Sequence, residues 1–322
     1  MSEIVINAQN LSKNFYNFDS RLPFIKRFLK RNQITIRAVQ DISFTIKRGS
    51  IVGFIGSNGA GKSTTIKMLT GTLYPSSGKL EVNGEIPFKR SINFRKKISI
   101  VVGNKLQLFQ DVSAMDYFQL IGTLYEVEPA ILQERIQELS NLLNVKDQLY
   151  QQVRTLSLGQ KMKMEFIAAS LTSPEILFLD EPTIGLDIQS KKDIRTFLKK
   201  MNEECHTTII LTSHDMDDIS SVCDELIVID KGKIILQESM DVILSKFSDF
   251  KYLKIKMTLD LVPELCSVKG VVVISQTKSE CILKIPRDFV FETLESINKL
   301  VDIEDFEISN LSLEEIILQN YF

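Results

Sequence analysis

Three short apolar runs recur along the first two-thirds of the chain without alternating polar positions. They are residues 51–55 (Ile-Val-Gly-Phe-Ile), 176–179 (Ile-Leu-Phe-Leu) and 208–211 (Thr-Ile-Ile-Leu). Runs of this length with no polar face predict strands covered on both sides, as in a parallel sheet. The stretch from 105 to 173 reads differently. Ile131, Ile136, Leu139, Leu142 and Leu143 follow helical spacing, and strand signals are few. Past Lys231-Gly232-Lys233 and a last short strand at 234–236 the pattern changes again. Leu253, Ile255 and Met257 alternate with Lys254 and Lys256, residues 271–274 and 281–285 read as further strands, and Phe291, Leu294 and Ile297 read as a helix. The pattern predicts an α/β core over 1–103 plus 174–236, a helical insert at about 105–173, and a small α+β unit over 237–322.

The residues just after the first apolar run carry chemistry. Gly56-Ser57-Asn58-Gly59-Ala60-Gly61-Lys62-Ser63 fits the pattern G-x-x-x-x-G-K-[ST] between a strand and a predicted helix over 64–69 that begins with Thr64. Glycines let backbone N–H groups converge on phosphate oxygens, and the helix N-terminus adds partial positive charge. Lys62 is expected on the β- and γ-phosphates and the Ser63 hydroxyl on Mg²⁺. The second run ends in Asp180-Glu181, two carboxylates at the C-terminal end of a strand, where ligands sit in open α/β sheets. Asp180 suits a Mg²⁺ site and Glu181 suits polarising an attacking water. Leu156-Ser157-Leu158-Gly159-Gln160 precedes a further helical stretch, so Ser157 and Gly159 offer a second anion site at a helix N-terminus.

These motifs, with Pro182-Thr183-Ile184-Gly185-Leu186-Asp187 and Leu211-Thr212-Ser213-His214-Asp215 after them, come in the order and spacing of the nucleotide-binding subunit of an ATP-binding cassette (ABC) transporter. The chain resembles that family over roughly residues 1–236. Leu-Ser-Leu-Gly-Gln in place of Leu-Ser-Gly-Gly-Gln looks like the bacterial exporter branch. The resemblance implies a P-loop ABC ATPase core with an α-helical subdomain and a small C-terminal α+β domain. It also implies a head-to-tail pair, most simply a homodimer, with separate transmembrane permease subunits at the cytoplasmic face of the membrane. Residues 57 to 64 (Ser57, Asn58, Gly59, Ala60, Gly61, Lys62, Ser63, Thr64) would bind the nucleotide. Ser157, Gly159 and Gln160 of one chain would reach the γ-phosphate held by the other. Glu181 and His214 would be catalytic, His214 contacting the γ-phosphate, and Asp187 would couple the two sites.

Two positions depart from the family pattern. The loop glutamine that joins the Mg²⁺ site to the transport interface aligns with Asn104, one methylene shorter. Either Asn104 serves there, through water, or Gln107 takes its place from the next turn. The adenine-stacking aromatic aligns with Phe15, which has the required π-face; a strand-end core residue is the plainer account of the same position.

Composition narrows the class. Hydrophobic content of 44%, charged content of 25% and net charge −2 describe a globular chain and argue against a general nucleic-acid binder. No apolar run approaches the roughly 20 residues of a membrane-spanning helix, and the start has no export signal. Cys205, Cys223, Cys266 and Cys281 lack metal-ligand spacing and read as reduced thiols. Over 21–37, Arg21, Lys26, Arg27, Lys30, Arg31 and Arg37 stand without an acid, interleaved with Phe24, Ile25, Phe28 and Leu29. A solvated surface helix is one reading, and contact with anionic lipid or the membrane subunit the sharper one. The rival function is a soluble cassette ATPase acting on DNA or ribosomes; a regulatory cassette is a third reading. The short spacing between Lys62 and Asp180 leaves no room for a long coiled coil, and a single phosphate loop speaks against a tandem cassette.

Overall fold

A computed structural model describes residues 3–18, 33–257, 271–277, 280–300, 303–310 and 313–321. Most of the basic stretch at 21–37 lies outside them; within them, Arg37 is an exposed strand residue. The chain separates into two units, Met1–Glu238 and Ser239–Phe322.

The centre of the first unit is a six-stranded sheet in the order β5-β6-β7-β3-β8-β9. These strands are β3 (Ile51–Ile55), β5 (Ile98–Val102), β6 (Ile176–Asp180), β7 (Thr208–Thr212), β8 (Glu225–Asp230) and β9 (Lys233–Ser239). Every residue of β3 and β7 is buried, as uninterrupted apolar runs in a sheet covered on both faces require. The pairs β5–β6, β6–β7, β7–β3 and β3–β8 are all parallel. Their register aligns Val102 with Asp180, and Asp180 and Phe54 with Thr212. The loops leaving β3, β5, β6 and β7 therefore depart from one edge of the sheet, and that edge carries the motifs.

An antiparallel sheet of β1 (Ile4–Phe18), β2 (Gln33–Lys47) and β4 (Ser77–Val82) forms a second layer. Its inward residues Ile6, Leu11, Ile42, Phe44 and Val82 share one apolar cluster with Phe54 and Phe178 of the central sheet. Ile66 and Leu69 of helix α1 (Lys62–Leu69) belong to the same cluster. Phe44 meets Phe54 edge-on at 5.5 Å between ring centroids. Burying several such side chains, at about 1.5–3 kcal/mol each, holds the phosphate loop between the two layers. A short helix, α2 (Ile92–Lys97), leads directly into β5.

Between β5 and β6 the chain is helical: α3 (Ala114–Leu124), α4 (Pro129–Leu142) and α5 (Leu158–Ser170). The buried apolar positions of α4 and the residue after it are Leu132, Ile136, Leu139 and Leu143, one stripe at helical spacing. Ile131, counted toward that stripe from the sequence, faces out at 40% exposure, because the stripe begins one residue later. Helix α5 is buried almost all round, including the charged Lys163 and Glu165. Lys163 is neutralised by Asp193 of α6 (Ile188–Cys205) at 2.5 Å.

The second unit begins with α8 (Met240–Ser248), numbered after α7 (Met216–Val222) of the first. Its four-stranded sheet runs in the order β11-β12-β10-β13, with β10 (Phe250–Met257), β11 (Val272–Gln276), β12 (Glu280–Pro286) and β13 (Ile303–Ser309). Leu253, Ile255, Cys281, Leu283 and Ile285 form its core, covered by Val290 and Leu294 of α9 (Val290–Leu300). Phe291, read from the sequence as part of the helix's apolar face, is 84% exposed, since the face turned inward runs through Val290, Thr293 and Leu294. Helix α10 (Leu313–Tyr321) closes the chain with Leu313, Ile316 and Ile317 buried. Among the described residues no helix is long and apolar enough to cross a membrane.

Candidate functional site

The loop after β3 has its shape because three residues have no alternative. Gly56 and Gly61 sit at φ 152° and 113°. A Cβ on Gly56 would stand 2.0 Å from the Ile229 carbonyl, and one on Gly61 would stand 2.6 Å from the Ala38 carbonyl of β2. Ala60 is buried, and its carbonyl accepts from Gly232 N–H at 2.9 Å. The loop is thereby pinned on both sides while Ser57, Asn58 and Gly59 remain exposed at its crest. Gly61 caps α1 without a side-chain acceptor, so no cap occupies the first N–H groups that any helix start leaves without an intrahelical partner. Thr64 sits half-buried in the first turn.

Lys62 is buried and folds its ammonium back over the loop, donating to the carbonyls of Gly56 (2.7 Å) and Ser57 (3.2 Å). Burial pushes its pKa below the ordinary lysine value, while Glu181 and Asp180 pull the other way. Ser63 Oγ donates to Asp180 Oδ1 at 2.9 Å, joining the loop to the end of β6. The same carboxylate oxygen accepts from Thr212 Oγ1 at 2.7 Å. Thr212 Oγ1 and the Thr212 carbonyl in turn accept from Glu181 N–H at 3.1 and 3.0 Å. Sequence motifs alone did not single out Thr212; its signal was a wholly buried polar residue ending an apolar run.

Glu181 adopts φ 50°, uncommon for a residue with a side chain, and the turn redirects its carboxylate off the strand line. Its Oε2 lies 3.4 Å from His214 Nδ1, the histidine being 58% exposed. The two residues proposed as catalytic are thus neighbours. Asp215, the next residue, caps α7 and pairs with Lys191 Nζ at 2.5 Å, which fixes the backbone carrying His214. Asn104 is exposed two residues beyond β5, next to Gly103, whose N–H donates to the Asp180 carbonyl at 2.9 Å. Gly103 is so close to the turn that a Cβ would stand 1.8 Å from the Glu181 carbonyl. Asn104 directly follows the glycine whose backbone meets the turn that carries the two carboxylates. The Gln107 side-chain amide instead donates to the Ile100 carbonyl at 2.9 Å, back along β5.

Phe15 lies in β1 opposite Ile36 of β2, two residues before the Ala38 carbonyl that abuts Gly61. It is 40% exposed, with Lys13 Nζ 5.3 Å from the ring centroid. An exposed aromatic face beside the phosphate loop suits stacking on a base.

The signature residues form a separate cluster. Ser157 caps α5, accepting from Gln160 N–H at 3.2 Å, and Gln160 Oε1 accepts from Ser157 N–H at 2.9 Å. The Gln160 side-chain oxygen thus completes the cap of its own helix. Gly159 lets the start of α6 approach: a Cβ there would stand 2.2 Å from Ser190 Oγ. Asp187 caps α6, accepting from Ser190 N–H (2.8 Å) and Ser190 Oγ (2.7 Å), which holds its carboxyl below the usual aspartate range. Around this cluster Ile188, Leu158 and Ile184 are exposed at 88%, 45% and 40%. Among the described residues no hydrogen bond joins Ser157, Gly159, Gln160 or Asp187 to Lys62, Ser63, Asp180 or Glu181.

The family pattern described as ABC transporter matches residues 39–184. The "ABC transporter ATP-binding protein NatA" of Bacillus subtilis is 32% identical over 216 residues, 67% of this chain and 87% of that protein. The chain belongs to the ATP-binding proteins of ABC transporters. The "Linearmycin resistance ATP-binding protein LnrL" of the same organism is 34% identical over 197 residues, 61% of this chain and 63% of its own length. Among solved structures, cbiO1 from Clostridium perfringens, described as part of the ABC transporter complex cbiONQ, superposes with a TM-score of 0.62 at 26% identity, covering 76% of this chain and 92% of that one. The cassette MJ0796, solved as a dimer bound to ADP and Pi, has the same fold, with a TM-score of 0.61 at 20% identity. This ABC cassette is an ATP-binding ATPase subunit of a transporter.

Proposed function

We propose that the chain powers an exporter as a head-to-tail pair, docked on separate transmembrane subunits at the cytoplasmic face of the membrane. One observation carries the paired arrangement: the signature cluster is complete in itself, exposed and ringed by apolar side chains, and unconnected to the chain's own phosphate loop. A second copy, supplying Ser157 and Gly159 to the first copy's ATP, gives both features a purpose. The likeness to a linearmycin-resistance ATPase supports the outward direction.

Residues 57–64 bind the triphosphate through backbone N–H groups and the Lys62 ammonium, which exchanges the carbonyls of Gly56 and Ser57 for phosphate oxygens. Phe15 stacks on the base. The facing hydroxyl of Ser63 and carboxylate of Asp180 are hard oxygen donors of the kind Mg²⁺ takes, with Asn104 beside them. When bound, that ion neutralises charge on the phosphates. Glu181 accepts a hydrogen bond from the attacking water, and His214 steadies that carboxylate on one side and reaches the γ-phosphate on the other. Asp187 fixes the start of α6 against the signature, joining the two composite sites.

The test separates binding from turnover. Glu181→Gln keeps ATP binding, lowers turnover about 10²- to 10⁴-fold, and accumulates an ATP-bound dimer measurable by light scattering. Turnover near the wild-type rate removes Glu181 from the reaction. A monomeric ATP-bound form at all concentrations removes the head-to-tail pair.

A further inference from the structure

The loop that leaves β5 is stitched to both halves of the site. At its start Gly103 is bonded to Asp180 and pressed against Glu181. At its end the carbonyls of Gln110 and Val112 accept from Arg154 N–H (2.9 Å) and Val153 N–H (3.0 Å), just ahead of the signature residue Leu156. Its middle rests on a carboxylate that forms no ion pair among the described residues. Glu165, on α5, is 5% exposed, and its Oε1 accepts from the backbone N–H groups of both Gln107 and Leu108, the second at 2.8 Å. Leu108 is itself buried.

We propose that Glu165 is a positioning residue: its carboxylate latches the 103–112 loop onto the signature helix, so that Asn104 and the turn at Glu181 move as one body with Ser157. A buried carboxylate destabilises the fold unless it is hydrogen-bonded, and two N–H bonds to one oxygen are what this one makes. Leucine or alanine would pack against the same neighbours and leave both N–H groups without this acceptor, the buried one of Leu108 among them. Burial pushes the Glu165 carboxyl above the usual glutamate range, with the two N–H donors pulling against it. Both donors are neutral backbone N–H groups, so the latch depends first on an acceptor oxygen at the right reach. The same carboxyl lines a cavity of about 420 Å³ with Tyr117, Ile121 and Gln107, so the latch sits where an object entering from outside would feel it.

Two near-isosteric variants separate reach from charge. Glu165→Asp keeps the charge and withdraws the oxygen by one methylene; Glu165→Gln keeps the reach and drops the charge. With the full chain, hydrogen exchange at the Gln107 and Leu108 amides is expected to speed up about tenfold or more in Glu165→Asp and to stay near wild type in Glu165→Gln. Steady-state kinetics follow the same split: Glu165→Asp lowers kcat about tenfold with KM for ATP within about twofold, and Glu165→Gln restores most of it. Unchanged exchange in Glu165→Asp, or faster exchange in Glu165→Gln, overturns the latch. Faster exchange with unchanged kcat overturns the positioning role. If Glu165→Asp does not fold, Glu165→Gln still puts the latch at risk, because faster exchange there overturns it. The kinetic arm rests on the proposed roles of Asn104 and Glu181, and the exchange arm does not. A failure of those roles would appear as full activity in Glu181→Gln while the exchange result stood.

Discussion

The two halves of the site are built by opposite means. The phosphate-loop half is closed upon itself: Ser63, Asp180, Thr212 and Glu181 form one chain of hydrogen bonds across the ends of β3, β6 and β7. Its members are buried or half-buried. In the signature half, Ser157 and Asp187 cap two helices whose starts touch at Gly159, and the surrounding Leu158, Ile184 and Ile188 face outward. The first half is organised before any ligand arrives. The second is organised as a surface. A surface with its helix caps already satisfied is free to meet something outside the chain, whereas the other half turns its crest of N–H groups, Lys62 and its carboxylates toward a ligand held within it.

The largest expected effect tests that division. Ser157→Arg places a long cation where a partner's γ-phosphate would approach, and it leaves the phosphate loop untouched. Turnover should fall about 10²- to 10³-fold, the usual scale for losing a group aimed at developing phosphate charge, while ATP binding by the monomer stays near wild type. Equal loss of binding and turnover would mean that Ser157 serves its own chain's nucleotide, and the two halves are then one. Lys62→Ala makes the converse change. Removing a charge-assisted contact to phosphate should weaken nucleotide binding by about 1.5–3 kcal/mol, about 10- to 150-fold in Kd, with the signature surface intact. Mixing the two variants restores at most one composite site, and measurable recovery of turnover on mixing is the sharpest evidence for two halves on two chains.

A smaller effect probes how the buried half holds itself together. Thr212→Val keeps the volume and removes a donor to Asp180 and an acceptor for Glu181 N–H, leaving the Thr212 carbonyl as the remaining partner of that N–H. About a tenfold drop in kcat/KM is expected, with the Mg²⁺ concentration for half-maximal activity raised, since one support of the Asp180 carboxylate is gone. No change in the Mg²⁺ dependence would assign Thr212 to packing alone.

The sequence was informative in proportion to how local the determinants were. The phosphate loop, the carboxylates ending β6 and the buried strands could be read because each is written in consecutive residues. So could the two-part core with a helical insert, since period 2 and period 3.6 differ over a dozen residues. Thr212, Gly103 and Glu165 could not, because each acts on a residue far along the chain: Thr212 on Asp180, Gly103 on Glu181, Glu165 on Leu108. The alternatives Asn104 and Gln107 differ in the same way: the Gln107 amide finds its acceptor seven residues back, on Ile100, which its neighbours in the sequence do not announce. Ile131 and Phe291 were misjudged by one residue of helical phase, which apolarity alone does not fix. The capping role of Gln160 follows the rule pairing a Ser cap with Gln three residues on.

The two ends of β6 give the last and smallest contrast. Its C-terminal end carries the acids of the site; the residue just before it, Glu175, is an acid of another kind. Burial alone would raise the Glu175 pKa, yet hydrogen bonds from Arg48, Asn83 and Lys97 hold it down to about 2. These bonds tie β6 to the turn after β2, the turn after β4 and the end of α2, with Arg48 Nη1 at 2.7 Å and Lys97 Nζ at 3.0 Å. A carboxyl whose folded pKa lies below its unfolded value stabilises the fold above the unfolded pKa, and that stability is lost as pH falls toward the folded one. Unfolding free energy of the wild-type chain should therefore decline between about pH 4.5 and pH 2. Glu175→Gln should flatten part of that decline and lower stability at pH 7 by about 1–2 kcal/mol, a modest figure because the cluster is partly open to solvent. ATP turnover per folded molecule should not change, since none of these partners reaches the loop edge of the sheet. A Glu175→Gln chain as stable as wild type at pH 7, or one that unfolds in acid along the same curve, would mean that the cluster contributes no net stability. The contrast between a stabilising end and a reacting end of β6 would then fall.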